Sequence, residues 1–512
     1  MMTFILCLLA IATLGWGFYR ARPMGKLGLV AWLQSVVLMS PWLILFILIG
    51  IGLSPNWAVI LALIVISIGI YIALGRWLRA IATQEGLIDR QSSGSSGGKP
   101  SLSAAPGTPQ TASALNSESA PQDQPPESAD SAQPFIPVPN EDLQRMKGIF
   151  GIDSFFATET IPYQDGVIFK GNLRGEVETT YARLNEALEE ALGDRYRLFL
   201  VTDQEDRPVV IVLPSRNDPK PMSLFQQGFA LLLAIATTVS CLASAAFLLG
   251  FDLFSSPERI KEALPIGLGL VGLLLIHEIG HQVLARRHGV RFSLPFFFPT
   301  LQIGSFGALN RFESLIPNRP VLFDVAFAGP AMSGLVSLLL VILGLFLSSP
   351  NPAIPEGSVL LSFPTPLFQG SILVGSLARV ILGNGIQADL VAVHPLFVVG
   401  WLGLVINAIN LMPAGQLDGG RVIQAIYGRR VAGRTTLFTL IFLALAALVN
   451  PLALYWAIII LFLQRELERP TQNDLLEVDD TRAALGLLAL FLTVSVLIPL
   501  TPSLAGQLGI GR

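Results

Sequence analysis

Only two cysteines and four histidines occur in the 512 residues. Cys7 and Cys241 both fall in apolar segments, so no disulfide framework is implied. Charge is scarce too: Asp, Glu, Lys and Arg make up 13% of the chain, about half the share usual in soluble domains. The net charge of −3 says little about partners, and no nucleic-acid partner is expected. Apolar residues fill the deficit. They form 52% of the chain and give a mean hydropathy of +0.62, which excludes an ordinary soluble globular protein.

A spanning helix needs about 20 apolar residues. Candidate runs lie at 2–19, 28–52, 56–75, 223–250, 264–284, 321–347, 395–412, 434–449, 452–464 and 483–500. The shorter runs are weaker cases, and 434–464 also reads as one bent hairpin around Asn450-Pro451. The expected fold is an α-helical polytopic membrane protein of about 8–10 transmembrane helices. Met1-Met2-Thr3-Phe4 lacks the basic start of a signal peptide, and no cleavage site precedes Tyr19-Arg20, so the first run reads as a retained anchor. The same stretch is unlike an Arg- and Ser-rich transit peptide, which favours a bacterial over a plastid-imported chain.

Orientation follows from basic residues in short loops. If the runs alternate, Arg20, Arg22, Lys26, Arg76, Arg79, Arg286, Arg287, Arg291, Arg421, Arg429, Arg430, Arg465 and Arg469 fall on one side, which is then the cytoplasm. Residues 1–85 hold the first spans. Residues 86–141 are rich in Ser, Pro, Ala, Gly and Gln, as in Ser92-Ser93-Gly94-Ser95-Ser96-Gly97-Gly98, and read as a disordered linker. Residues 142–218 read as a small cytoplasmic α+β module, with a strand at Val167-Ile168-Phe169-Lys170, a helix over 177–192 and strands at 196–202 and 208–213. Asn172, Arg174 and Glu176 could bind a partner there or simply make a turn. Residues 219–512 form the main membrane domain.

Two of the four histidines stand in His277-Glu278-Ile279-Gly280-His281, at the end of the uncharged run 264–276. Residues four apart on a helix share one face about 6 Å apart along the axis, so both imidazoles reach one metal while Glu278 projects beside it. Such a Glu is placed to take a proton from water. The bland alternative, two helix-face histidines satisfied by neighbours, is weakened by the cost of ionisable groups at membrane depth. A catalytic zinc takes three protein ligands and leaves the fourth position open. His288, behind Arg286-Arg287, and His394, before a proline, read as interfacial. Asp418, in Asn410-Leu411-Met412-Pro413-Ala414-Gly415-Gln416-Leu417-Asp418-Gly419-Gly420, is a better donor. Taken alone, Asp418-Gly419 reads more readily as a turn and Asn410 as a helix cap.

HExxH in a membrane helix followed downstream by N-x-x-P-x-x-x-L-D-G resembles the site-2 protease family of intramembrane zinc metalloproteases. Within it, Gly171-Asn172-Leu173-Arg174-Gly175 resembles the cyanobacterial and chloroplast branch typified by the ethylene-dependent gravitropism-deficient, yellow-green proteins. The resemblance covers residues 142–500 and lacks an inserted PDZ-like segment. It implies that His277, His281 and Asp418 hold one Zn2+ per chain, that Glu278 is catalytic and that Asn410 assists at the reacting carbonyl. Gly329-Pro330 matches a family pair, but Ala331-Met332-Ser333 follows where many members carry a nearby Asn. The implied activity is hydrolysis of a peptide bond in a transmembrane protein substrate, surrounded by lipid, in a bacterial, cyanobacterial-type plasma or thylakoid membrane with the site toward the cytoplasm. Intramembrane His and Asp also serve ion transport, and a non-catalytic assembly factor could keep the same fold.

Residues 292–320 are too irregular for a span, as in Leu294-Pro295-Phe296-Phe297-Phe298-Pro299 and Gly304-Ser305-Phe306-Gly307-Ala308. Irregular backbone at membrane depth must line a cavity or be covered by protein. The stretch reads as a re-entrant strand-like loop able to pair with an unwound substrate, or as an interfacial loop with aromatic anchors. Asn407 and Asn410 share a helix face and either line a water path or bind helices together. Segment 366–382 is amphipathic enough to lie on a membrane surface.

Overall fold

A computed structural model describes residues 138–510 apart from 164, 204, 350–358, 449–450 and 464–465, with scattered positions between 18 and 77. Apart from those scattered positions, the expected spans at 2–19, 28–52 and 56–75 and the linker up to 137 lie outside the described residues. The chain divides into two compact units, residues 1–127 and 128–512. Everything below concerns the second.

Its first layer is an antiparallel sheet. Helix α1 (Asn140–Gly148) precedes β1 (Phe155–Tyr163) and β2 (Gly166–Leu173); helix α2 (Val177–Leu192) leads into β3 (Tyr196–Thr202) and β4 (Pro208–Pro214), in the order β1-β2-β4-β3. Thr180, Leu184, Leu188 and Leu192 recur every fourth residue on α2 and bury one stripe against the sheet. Alternation in β3 and β4 places Leu198, Leu200, Val210 and Val212 in the same core. Asp142 ties α1 to β3 by accepting from the Tyr196 hydroxyl at 2.8 Å and the Arg195 guanidinium at 2.9 and 3.0 Å. Burial pushes that carboxyl up, but the Tyr196 and Arg195 hydrogen bonds outweigh it and hold it below the ordinary value.

Two features of this layer differ from the sequence reading. Gly171-Asn172-Leu173 is the end of β2, paired with Phe155 to Ala157, and not a turn. The layer also takes a bridging segment from late in the chain, Asn473 lying beside Leu200. Leu200 of β3 donates to Gln472 O at 2.7 Å and accepts from Asp474 N at 2.9 Å, while Gln472 and Asn473 donate to Ile316 and Pro317 carbonyls at 2.8 Å. Leu475 packs into the module's core. The 142–218 module is therefore not closed on itself.

The membrane layer contains α3 (Leu224–Leu248), α4 (Ile260–Arg287), β5 (Phe296–Thr300), β6 (Gly304–Leu309), α5 (Arg319–Phe346), β7 (Leu361–Pro364), α6 (Ile372–Leu382), β8 (Leu390–Val393), α7 (Pro395–Asn410), α8 (Asp418–Ala446), α9 (Pro451–Leu463), α10 (Asp480–Leu497) and α11 (Pro502–Leu508). Among the described residues, four stretches are long and apolar enough to cross a membrane: α3, α4 with its preceding turn from Pro257, α5 and α10. With the small sheet, this is the helical membrane fold expected. The run 395–412 behaves differently from a lipid-facing span. Its helix α7 has 16 residues and buries Phe397 to Gly400, Gly403, Leu404 and Ile406 to Asn410, so protein surrounds it nearly all round. A Cβ on Gly400 would lie 2.6 Å from Ser337 O of α5, so only glycine lets these two backbones approach. The run 434–449 is the second part of α8, which begins at Asp418 and breaks at Gly428, where φ is 80°.

Residues 296–309 form a true hairpin, β5 against β6, with Phe296 opposite Leu309 and Thr300 opposite Gly304. Ser244 of α3 donates to Leu301 O at its tip at 2.8 Å, and Phe306 meets the Trp456 ring edge-on at 4.7 Å. Gly304 to Gly307 of β6 are buried, while Leu301 at the turn is 58% exposed. Segment 366–382 becomes a 3-10 turn and α6, which bury Phe368, Val374 and Ala378 and leave Val380 80% exposed. The short pair β7–β8 beside it was not legible from its four-residue strands.

Candidate metal centre

Helix α4 carries His277 and His281 one turn apart on its buried face, as their spacing demands. Asp418 is the first residue of α8, where the helix dipole favours a negative charge. The turn reading of Asp418-Gly419 is thereby corrected. His277 Nε2 lies 3.1 Å and His281 Nε2 3.4 Å from Asp418 Oδ2, and the two Nε2 atoms are 3.0 Å apart. Ligand bonds of about 2.0–2.1 Å in a tetrahedron would separate donor atoms by about 3.3 Å, so this triangle fits one zinc. All three residues are buried, and their ligand atoms lie within 4.8 Å of one another.

The outer nitrogens fix the tautomers. His281 Nδ1 lies 2.7 Å from Val325 O, which only accepts, so Nδ1 carries the proton and Nε2 keeps its lone pair. His277 Nδ1 lies 3.0 Å from Ser333 Oγ. Ser333 has one proton, and its other neighbours, Gly329 O at 3.0 Å and Asn407 Oδ1 at 3.1 Å, are acceptors. Asn407 Nδ2 donates to Pro330 O at 3.0 Å, which sets the amide's orientation. Ser333 therefore accepts from His277 Nδ1–H, and both Nε2 lone pairs face the shared point. Two glycines make the helix contact possible. A Cβ on Gly329 would sit 2.3 Å from His281 Nε2, and one on Gly280 would sit 2.7 Å from Ala328 O.

Glu278 is also buried, and its Oε2 accepts from Asn310 Nδ2 at 2.7 Å. A cavity of about 10 Å³, room for a single water, is lined by His277, Glu278, Gly307, Ser333, Asn407 and Asn410, among others. Asn410 Nδ2 donates to Ile406 O at 2.8 Å and Phe306 O at 3.3 Å, so both its N–H groups hold carbonyls and one of these belongs to β6. Asn407 both lines the cavity and ties α7 to α5. His288 pairs with Asp324 at 3.1 Å, and His394 caps α7 by accepting from Leu396 N, so neither approaches the centre.

Sequence reasoning missed Ser333, Asn310 and Arg421. Ser333 lies in Ala331-Met332-Ser333, one turn after Gly329. Arg421 was counted with the surface arginines, but it is 2% exposed and pairs with Glu468 at 2.9 Å. Its place one turn after Asp418, on the face that also buries the carboxylate, was the available signal.

Residues 266–449, a stretch that includes His277, Glu278, His281 and Asp418, match the peptidase family M50 model, and residues 144–220 match the EGY3 middle domain. The probable zinc metalloprotease EGY1, chloroplastic, of Oryza sativa subsp. japonica is 36% identical over 409 residues, 73% of this chain and 70% of that protein. The chain belongs to peptidase family M50. Within M50 it lies with the EGY proteins. The probable zinc metalloprotease EGY2, chloroplastic, of Arabidopsis thaliana is 36% identical over 373 residues, 71% of this chain and 65% of that protein. The Arabidopsis thaliana protein named probable zinc metallopeptidase EGY3, chloroplastic, is 32% identical over 380 residues, 69% and 65% of the two chains. The chain thus spans about two thirds of the length of these relatives. No solved structure matches it. Zinc is the metal these M50 relatives are named for, and the two imidazoles and one carboxylate here fit it.

Proposed function

We propose that this M50 chain is a zinc metalloendopeptidase that hydrolyses a peptide bond within or near a transmembrane segment of a membrane-protein substrate. The observation that carries the reading is the convergence of His277, His281 and Asp418 on one point, inside membrane-type helices, with Glu278 alongside. Zinc held there supplies Lewis acidity to water and to the scissile carbonyl. Glu278 takes the proton from the attacking water and returns it to the leaving amine, so water's hydroxyl ends on the carbonyl carbon and its protons on the new amine and the carboxyl product. Asn410 turns one N–H from Phe306 O to the developing oxyanion.

The hairpin supplies the substrate's track. Among the described residues β6 has one strand partner, β5, and Gly307 of β6 lines the cavity at Glu278. An unwound substrate segment adding to the other edge would present its carbonyl to the metal. A helix could not, because its carbonyls are spent within it. The basic residues Arg286, Arg287 and Arg291 support the reading that this end of α4 faces the cytoplasm.

The test is cleavage of a single-span substrate in detergent by the native chain and by Glu278→Gln, with zinc measured in parallel. Glu278→Gln should keep its metal and lose turnover by about 10²–10⁴-fold. Native turnover in a zinc-loaded Glu278→Gln chain would sink the peptidase reading and return the centre to ion transport or scaffolding. Labelling of Ser96→Cys from each side tests the orientation; access from the outside would reverse it.

A further inference from the structure

The carboxylate of Glu278 has one hydrogen-bond partner among the described side chains, Asn310. Asn310 follows directly on the last residue of β6, beyond its ladder with β5. Its place is set instead by its carbonyl, which accepts from Arg421 Nη2 at 2.6 Å. Arg421 lies near the rings of Phe292 and Phe312, 5.6 and 5.1 Å from their centroids. It donates to Glu468 through Nε at 3.0 Å, and its Nη1 is 3.9 Å from Asp418 Oδ1. One buried cation thus braces both the third zinc ligand and the residue that holds Glu278. The Asn310 amide must turn Nδ2 to Glu278, since its oxygen would face a carboxylate oxygen. That leaves Asn310 Oδ1 buried and without a hydrogen-bond partner among the described residues. A buried acceptor left unmade is costly and is the kind of group a ligand satisfies.

We infer that Asn310 works with both ends of its amide: Nδ2 positions Glu278, and Oδ1 accepts a backbone N–H of the bound substrate peptide. Arg421, tied to Glu468, keeps it there. Asn310 comes directly after the strand to which the substrate adds, so a peptide N–H next to the scissile bond is within the run of that pairing. The inference rests on the peptidase reading above and gives it a second substrate contact besides Asn410.

The test compares Asn310→Ala, Asn310→Asp and Arg421→Lys in the full-length chain, with kcat, KM and zinc per chain measured for each on a single-span model substrate. Asn310→Ala should keep its zinc, lose kcat by about 10²-fold through a misplaced Glu278, and raise KM. Asn310→Asp keeps an acceptor but no donor, so kcat should fall while KM stays within about twofold of native. Arg421→Lys loses the fork that spans Asn310 and Glu468, and should lower kcat with zinc retained. Native kcat in Asn310→Ala would overturn the positioning role. An equal KM rise in Asn310→Asp and Asn310→Ala would overturn the acceptor role. Loss of zinc in Asn310→Ala would mean the residue serves the metal site's structure instead. Glu278→Gln run alongside separates the cases: turnover there would strike the peptidase reading, whatever Asn310 does.

Discussion

His277 and His281 need only the pitch of α4 to share a face, whereas Asp418 arrives 141 residues after His277 and is braced by Arg421, whose partner Glu468 lies on a still later segment. The imidazoles also draw their outer hydrogen bonds from a single neighbour, α5, through Ser333 and Val325. The carboxylate depends on packing among α8, the loop after β6 and the segment before α10. A metal centre of this kind has a part written locally and a part that exists only once the whole bundle has closed.

That contrast can be broken most severely at the ligands. Asp418→Ala and His281→Ala should each drop zinc from about one per chain to near zero and abolish cleavage, because two donors do not make a catalytic site. Full zinc occupancy in either, by metal analysis, would remove that residue from the set. Asn410→Ala comes next. Its rate should fall by about 10²–10³-fold if its amide serves the oxyanion, with zinc unchanged. A silent Asn410→Ala would leave Asn410 as a tether between α7 and β6. Smaller again is Ser333→Ala, which frees His277 Nδ1 and should weaken zinc binding by about 10–100-fold in a chelator competition. Unchanged affinity would mean that α4 alone orients His277.

The mildest test lies outside the membrane layer. The Asp142 carboxyl is held below its ordinary value of 3.8, so the stability it contributes is present above that pH and lost as pH falls through the folded value. Asp142→Asn should therefore lower the melting temperature of the module at pH 7, and the gap to native should close below pH about 4. A gap that is constant with pH would assign the loss to shape and not to charge.

The pattern of what could be read in the sequence follows the same division. HEIGH is legible because its spacing is the helix repeat, and α2 because Leu184, Leu188 and Leu192 keep that repeat. Asp418 was legible only through likeness to a family, since Asp-Gly carries no distance information. Ser333 is a common residue on an apolar helix, and only the position of His277 gives it a task. Arg421 was misread because charge in a sequence says nothing about burial, and two aromatic rings with a distant glutamate bury it. β1 was missed because Thr158, Glu159 and Pro162 break its apolar alternation; it is an edge strand, where a proline costs no ladder bond.

Residues 472–474 are hydrogen-bonded to β3 on one side and to Ile316 and Pro317, just ahead of α5, on the other. Such a rung has no independent way to open. If it peels off the sheet it also drops Leu475 from the module's core and loosens the segment that carries Glu468. The amides of Leu200, Gln472, Asn473 and Asp474 belong to one exchange unit, and their hydrogen-exchange rates should rise and fall together. A load on the four-stranded sheet would pass through these backbone hydrogen bonds to the residues just ahead of the helix that carries Val325 and Ser333.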